Sequence, residues 1–213
     1  MSTTSTDGDR HRGTVFVVDD DRSIRKALTR LLRSAGLKVE SFSNAMDFLA
    51  SESHDHPAAL LLDIQMPGLS GLELQQKLRD RDPAIVFITG HGTVPRSVQA
   101  MKMGAVDFLQ KPFEDKDLLT AIRQALDKDS RRQQAQTELA VLGNRYATLT
   151  PREREVFELV VAGRLNKQIA SRLGTSEKTV KVHRGRVMRK MRADSLADLV
   201  RMSERLSAST AAQ

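Results

Sequence analysis

Five short apolar runs, at 14–18, 38–41, 58–62, 84–89 and 105–109, punctuate the first 127 residues. Segments 22–34, 45–51, 72–80, 95–103 and 115–126 alternate with them and place apolar side chains three and four residues apart. That spacing belongs to amphipathic helices, whereas the strand-like runs are too apolar to face water on either side. Five strand–helix pairs predict an α/β doubly wound (flavodoxin-like) five-stranded parallel sheet covered by helices on both faces. The usual strand order for such a sheet is 2-1-3-4-5, which makes the first and third strands neighbours at about 4.8 Å.

The pattern changes after residue 127. Residues 128–147 are polar in their first part and regain Leu139, Val141 and Leu142, which predicts a mostly helical linker with a break near Gly143 and Asn144. Residues 148–206 predict an all-α unit of four helices. Thr150 and Pro151 open the first, and Gly163 closes it. Asn166 is expected to cap a short second helix ending at Gly174. Ser176 caps a third running to Met191, and 196–206 forms a fourth. Two helices joined by a tight Gly-containing turn, the second strongly basic, make a helix-turn-helix. The ends, 1–13 and 207–213, are expected to be disordered tails.

Charge follows the same division. Residues 1–127 carry a net −2 and residues 148–192 a net +8, within a total of +7. An acidic-to-neutral part joined to a compact basic part fits a regulator attached to a polyanion binder. The longest apolar run is five residues, against roughly 20 needed to span a bilayer. With no secretory signal at 1–13 and no cysteine in the chain, the expected compartment is the cytoplasm.

Chemistry-bearing residues gather at the strand ends. Asp19, Asp20 and Asp21 end the first strand, Asp63 the third and Thr89 the fourth, and Lys111 follows the fifth. In a doubly wound sheet these ends share one rim, the one that binds ligands. Each Asp alone reads as a turn former or helix cap, and Asp21 fits that role; the set at matching positions does not. Carboxylates so placed repel unless a cation sits among them, and all-oxygen donors without Cys favour a hard ion, Mg²⁺ first. A carboxylate such as Asp63 can then attack phosphorus, with Lys111 and Thr89 on the phosphoryl oxygens.

Val17-Val18-Asp19-Asp20-Asp21, Leu62-Asp63-Ile64-Gln65-Met66-Pro67-Gly68, Thr89-Gly90-His91-Gly92 and Lys111-Pro112-Phe113 resemble the receiver domain of two-component response regulators. The resemblance covers 14–127. It implies phosphorylation of Asp63 by a sensor histidine kinase, and Mg²⁺ held by Asp20, Asp63 and the backbone carbonyl of Gln65 with Asp19 assisting. It also implies a switch pair of Thr89 and Phe108, and a cis peptide between Lys111 and Pro112.

On a helical wheel, Val180, Val187 and Met191 mark the core stripe of the basic helix, with His183 and Arg184 at its edges. Lys178, Val182, Gly185, Arg189 and Arg192 face outward, flanked by Lys181 and Arg186. Such a helix suits a DNA major groove. The segments Leu149–Val156, Asn166–Ala170 and Thr179-Val180-Lys181-Val182-His183 resemble the LuxR-type helix-turn-helix, and with the receiver the whole of 14–206 resembles a response regulator of the FixJ/NarL type. The expected DNA contacts are Lys178, Thr179, Lys181, Val182, His183, Arg186 and Arg189. Gly185 departs from the pattern, since it sits mid-helix on the outward face and offers no side chain.

The expectation is a phosphorylation-dependent DNA-binding transcriptional regulator, not an enzyme, that dimerises when phosphorylated. Its expected partners are the kinase, double-stranded DNA at inverted-repeat sites, a second copy of itself and RNA polymerase, with no membrane. The alternatives are a regulator controlled by protein contact alone and a phosphatase or phosphotransferase. His54-Asp55-His56 reads as a solvated loop and His91 as a loop residue beside the pocket. One of Met101 and Met103 is expected in the core and the other on a dimer surface, and Leu139 with Leu142 as a helix anchor.

Overall fold

The computed structural model of the protein describes residues 13–51, 57–90 and 94–211. The expectations for residues 1–12, for His54, Asp55 and His56, and for His91 fall outside that set. Strands β1 (Thr14–Val18), β2 (Lys38–Phe42), β3 (Ala58–Asp63), β4 (Ile85–Thr89) and β5 (Asp107–Gln110) form one parallel sheet in the order β2-β1-β3-β4-β5. Alternation along the strands builds two cores, one on each face. Val15, Val17, Leu61, Val86 and Ile88 pack against α1 (Arg22–Ser34) and the first part of α5 (Asp115–Ala147). Phe16, Val18, Leu60, Leu62, Ile85 and Phe87 pack against α2 (Ala45–Ala50), α3 (Gly71–Lys77) and α4 (Val94–Lys102).

β5 begins two residues later than its apolar run. Gly104 takes φ +91° and the Ala105 amide bonds back to the Ala100 carbonyl, so residue 105 finishes the turn after α4. Gly13, expected in a tail, is buried and packed. Its φ is +104°, its carbonyl accepts from the Lys38 amide, and a Cβ there would stand 2.7 Å from Leu126.

The chain divides into two compact units, one ending at Gln133 and the other beginning at Gln134. Helix α5 is continuous over 33 residues, so the break expected near Gly143 and Asn144 does not occur. A helix-interior Gly costs about 1 kcal/mol. Leu142 is buried in the core of the second unit, and Tyr146 meets Phe157 edge-on at 5.3 Å, so packing on both sides of Gly143 outweighs that propensity.

The second unit adds α6 (Pro151–Val161), α7 (Asn166–Leu173), α8 (Glu177–Met191) and α9 (Leu196–Ala211). Its core joins Leu149, Val156, Phe157, Ile169, Val180, Val187, Met191 and Leu199. Thr150 and Glu153 make a reciprocal capping box at α6, and the Ser176 hydroxyl accepts from the Thr179 amide at α8. At α7 the capping position is Leu165 rather than Asn166. The Gln168 side chain accepts from the Leu165 amide at 3.0 Å, which frees Asn166 to accept from Arg184 at 3.3 Å. Gly174 closes α7 at φ +60°. Helix α9 extends through Ala211, beyond the expected end at Leu206. No Gly or Pro interrupts 196–213, and Ser207 donates to the Ser203 carbonyl one turn back.

Candidate functional site

Parallel register brings the first rim together. β1 lies between β2 and β3 with Val18 opposite Leu62, so Asp19 and Asp63 emerge side by side from neighbouring strands. β4 borders β3 and β5 borders β4, with Thr89 opposite Gln110. The Lys111 amide donates to the Thr89 carbonyl at 2.8 Å, which carries the pairing one residue further. The Lys111–Pro112 peptide is cis.

The Lys111 ammonium bridges two carboxylates, 2.9 Å from Asp19 Oδ2 and 2.8 Å from Asp63 Oδ2. The other oxygens are also engaged: Asp19 Oδ1 accepts from the Asp21 amide at 2.8 Å and Asp63 Oδ1 from the Gln65 amide at 3.0 Å. Asp19 is fully enclosed, Asp63 is 7% exposed and Asp20 faces solvent. Burial pushes the Asp63 carboxyl above its ordinary range, against the pull of Lys111 and the Gln65 amide and with help from the Asp19 charge. For Lys111, burial acts to lower its affinity for the proton, but hydrogen bonds to Asp63 and Asp19 outweigh it and hold the ammonium above its usual value. Asp21 does not belong to the pocket. Its carboxylate accepts from the Ile24 and Ser23 amides and caps α1, which holds its pKa below the usual range.

Asp19, Asp20 and Asp63 can each offer an oxygen within 4.8 Å of the others. Three clustered carboxylates, with no nitrogen or sulfur donor among them, fit a hard divalent cation. Thr89 is buried at the end of β4, while Phe108 is half-buried against the second-face core, opposite Phe87.

Three supports were not read from the sequence. Arg25 donates to the Asp19 carbonyl at 2.6 Å and steadies the loop after β1. A Cβ on Gly71 would stand 2.2 Å from the Asp63 carbonyl oxygen, so α3 begins against the backbone that carries Asp63. Gln75 is buried and its amide donates to the Ala100 and Met103 carbonyls, tying α3 to the end of α4. Only Gln75 left a trace, as a polar residue among Gly71, Leu74 and Leu78 on the packed face of α3.

The basic helix α8 buries Val180, Val187 and Met191 completely. Lys178, Thr179, Lys181, Val182, Gly185, Arg186 and Arg189 are exposed, Val182 by 49%. His183 differs: it is half-buried, and its Nδ1 is enclosed without a hydrogen-bond partner among the described residues. The Thr179 hydroxyl lies 2.9 Å from that of the Ser176 cap. Lys190, at the inner edge, donates to Glu153 at 2.6 Å and to the Thr148 carbonyl, joining α8 to the start of α6. Met101 is 45% exposed and Met103 half-buried at the end of α4. No helix among the described residues is long and apolar enough to cross a membrane.

Residues 15–123 match the response regulator receiver domain family, and residues 147–203 match the luxR family of bacterial regulatory proteins. Nodulation protein W of Bradyrhizobium diazoefficiens is 52% identical over 197 residues, which cover 92% of this chain and 87% of that protein. The solved structure of response regulator StyR is 48% identical, with a TM-score of 0.80 over 90% of this chain and 98% of that one. Full-length FixJ from B. japonicum is 40% identical, with a TM-score of 0.56 over 93% and 98%. A five-stranded doubly wound unit with an acidic rim, followed by a four-helix unit with an exposed basic helix, therefore places the chain among the response regulators that join a receiver domain to a LuxR-type DNA-binding domain, a family of DNA-binding transcriptional regulators.

Proposed function

We propose that the protein is switched by phosphorylation of Asp63 by a sensor histidine kinase, and that the phosphorylated form dimerises and binds DNA through α8. The observation that carries this reading is the Lys111 ammonium held between Asp19 and Asp63. It fixes a positive charge beside Asp63, where the oxygens of an incoming phosphoryl group need one. An Asp63 oxygen forms a bond to phosphorus as the phosphorus–nitrogen bond of a donor phosphohistidine breaks, and the imidazole leaves with the electron pair. Asp19, Asp20, Asp63 and the Gln65 carbonyl would hold Mg²⁺, which supplies charge neutralisation for the carboxylates and the phosphoryl group. Lys111 then exchanges its carboxylate partners for phosphoryl oxygens. Thr89 follows by hydrogen bonding to the phosphoryl group, and Phe108 turns inward behind it.

The functional boundaries we assign are 14–127 for the receiver, 128–147 for the linker and 148–206 for DNA binding. Lys178, Lys181, Arg186 and Arg189 serve phosphates and base edges, with Thr179 and Val182 at the same face and half-buried His183 at its edge. Dimerisation sets two such helices about one DNA turn apart on an inverted repeat, which raises affinity through effective concentration. RNA polymerase is the partner downstream, and the setting is the cytoplasm.

The test is Asp63→Asn. Acetyl phosphate or a kinase should add one phosphate to the wild-type chain and tighten its DNA binding, and the variant should show neither effect. Stoichiometric labelling of the variant would refute the assignment of Asp63. Labelling of the wild type without any change in DNA affinity would favour control by protein contact alone. Steady release of phosphate from a small metabolite would favour the enzyme reading.

A further inference from the structure

Gln75 is 5% exposed in the middle of α3, and only half of its amide is satisfied. Its Nε2 donates to the Ala100 carbonyl at 3.3 Å and to the Met103 carbonyl at 3.2 Å. Its Oε1 is enclosed without a hydrogen-bond partner among the described residues. The opposite orientation of the amide would set an oxygen against two carbonyl oxygens, so the surroundings fix which atom faces α4. A leucine or methionine would fill the same place without leaving a buried acceptor unpaired. Leu74 and Leu78, buried in the same core, do so.

The two carbonyls lie at the C-terminal end of α4, a helix that exposes Val98 and Met101 by 45% each. The other end of α3 abuts the backbone of the acidic rim. Gly71 leaves no room for a Cβ beside the Asp63 carbonyl, and its amide donates to the Ile64 carbonyl at 3.0 Å. Gly71 and Gln75 are four residues apart, so they share one face of α3 and stand about 6 Å apart along its axis. Leu74 is fully buried between them, and Ser70 with Glu73 closes the start of the helix in a reciprocal capping box. A short helix so capped and packed moves as one body.

From this arrangement we infer that α3 is a lever between Asp63 and α4, with Gln75 as the positioning residue that transmits its movement. A shift of the backbone at Asp63 and Ile64 passes through Gly71 and α3 to the C-terminal end of α4. The route is separate from Thr89 and Phe108, which act from β4 and β5. While Lys111 spans Asp19 and Asp63, the Gln75 amide holds the end of α4, and with it the exposed Val98 and Met101, in one placement. A phosphoryl group on Asp63 moves the strand end on which Gly71 rests, and the two neutral hydrogen bonds of Gln75 are weak enough to be exchanged. This inference rests on the reading that phosphorylation of Asp63 drives dimerisation.

The experiment uses the full-length chain and the variant Gln75→Leu, which removes both donors and the unpaired oxygen together. Self-association is measured by sedimentation before and after treatment with acetyl phosphate, at equal phosphate content read by mass. The ratio of phosphorylated to unphosphorylated association constants should fall about tenfold in Gln75→Leu, the factor that two ordinary neutral hydrogen bonds supply. The fall should come from tighter association of the unphosphorylated variant, whose α4 is no longer held. An unchanged ratio with an altered melting temperature would make Gln75 a structural tether and overturn the inference, while phosphorylation-driven dimerisation stands. A wild-type chain that takes up phosphate without associating would overturn both. If Gln75→Leu does not fold, the side-chain amide resonances of Gln75 in the wild type decide. They should move on phosphorylation and stay in place in Asp63→Asn treated alike, and unmoved resonances in the labelled wild type would overturn the inference.

Discussion

Replacing Asp129 by Ala should unfasten the receiver unit at the end opposite the acidic rim. Asp129 lies in α5 and is only 2% exposed. Its carboxylate accepts from the Ala58 amide at 2.9 Å, at the first residue of β3, and from Arg132 at 2.6 Å. Arg132 also donates to the carbonyls of Arg81 and Asp82, which close the turn before β4. The variant leaves the Ala58 amide without this acceptor, at about 1–3 kcal/mol. Arg132 keeps its two carbonyl acceptors and its side chain is 20% exposed, so its loss falls well below the 3–5 kcal/mol typical of breaking a fully buried pair. The sum is about 3 kcal/mol, equivalent to about 10 °C in the melting temperature of a unit this size. Asp129→Asn retains an acceptor for Ala58 and should lose only about 1 kcal/mol. Calorimetry of the full-length chain, with hydrogen exchange at the Ala58 amide, reads both numbers. A loss below about 1 kcal/mol in Asp129→Ala, or one confined to the transition of the second unit, would refute the assignment of Asp129 as a clamp.

Gly71→Ala should destabilise the receiver by at least about 2 kcal/mol and slow phosphorylation of Asp63, because the new Cβ can be admitted only by moving the backbone that carries Asp63. Unchanged melting and labelling would show that this contact relaxes freely. Gly185→Ala should raise the melting temperature of the second unit, since the site is exposed, mid-helix and open to a Cβ, a gain of about 1 kcal/mol; a loss would mean that the helix is strained there. Glu153 is held below the ordinary glutamate range by Lys190 first and by the Thr150 amide next. A carboxyl with a depressed native pKa stabilises above its ordinary value near 4.3 and loses that contribution as pH falls through its native one. Acid titration of the second unit should therefore flatten in Glu153→Gln below about pH 5, and an unchanged acid profile would exclude the pair as a source of stability.

Much of the site was legible because it depends on strand ends. Once the runs at 14–18 and 58–62 are parallel neighbours, Asp19 and Asp63 follow without further choice, and the Lys111 position follows from the fifth strand. The clamp was not legible. Asp129 sits in a polar stretch with Lys128, Ser130 and Arg131, where one buried carboxylate leaves no periodic trace, and its partner Ala58 is 71 residues away. Gly143 misled for a related reason. Propensity at one residue is worth about 1 kcal/mol, and the burial of Leu142 together with the Tyr146–Phe157 contact exceeds it.

Periodicity, punctuation and charge along the chain decided the alternation of strands and helices, the acidic and basic halves, the caps at Thr150 and Ser176, and which residue types arrive at the acidic rim. The three-dimensional arrangement alone decided that Lys111 spans two carboxylates, that Gly71 leaves room for the Asp63 backbone, and that α5 continues through Gly143 without a break. Local patterns are set by each segment's exchange with water and by its own backbone preferences. Contacts between distant segments depend on register and on which groups lose water together, and those are settled only when the whole chain packs.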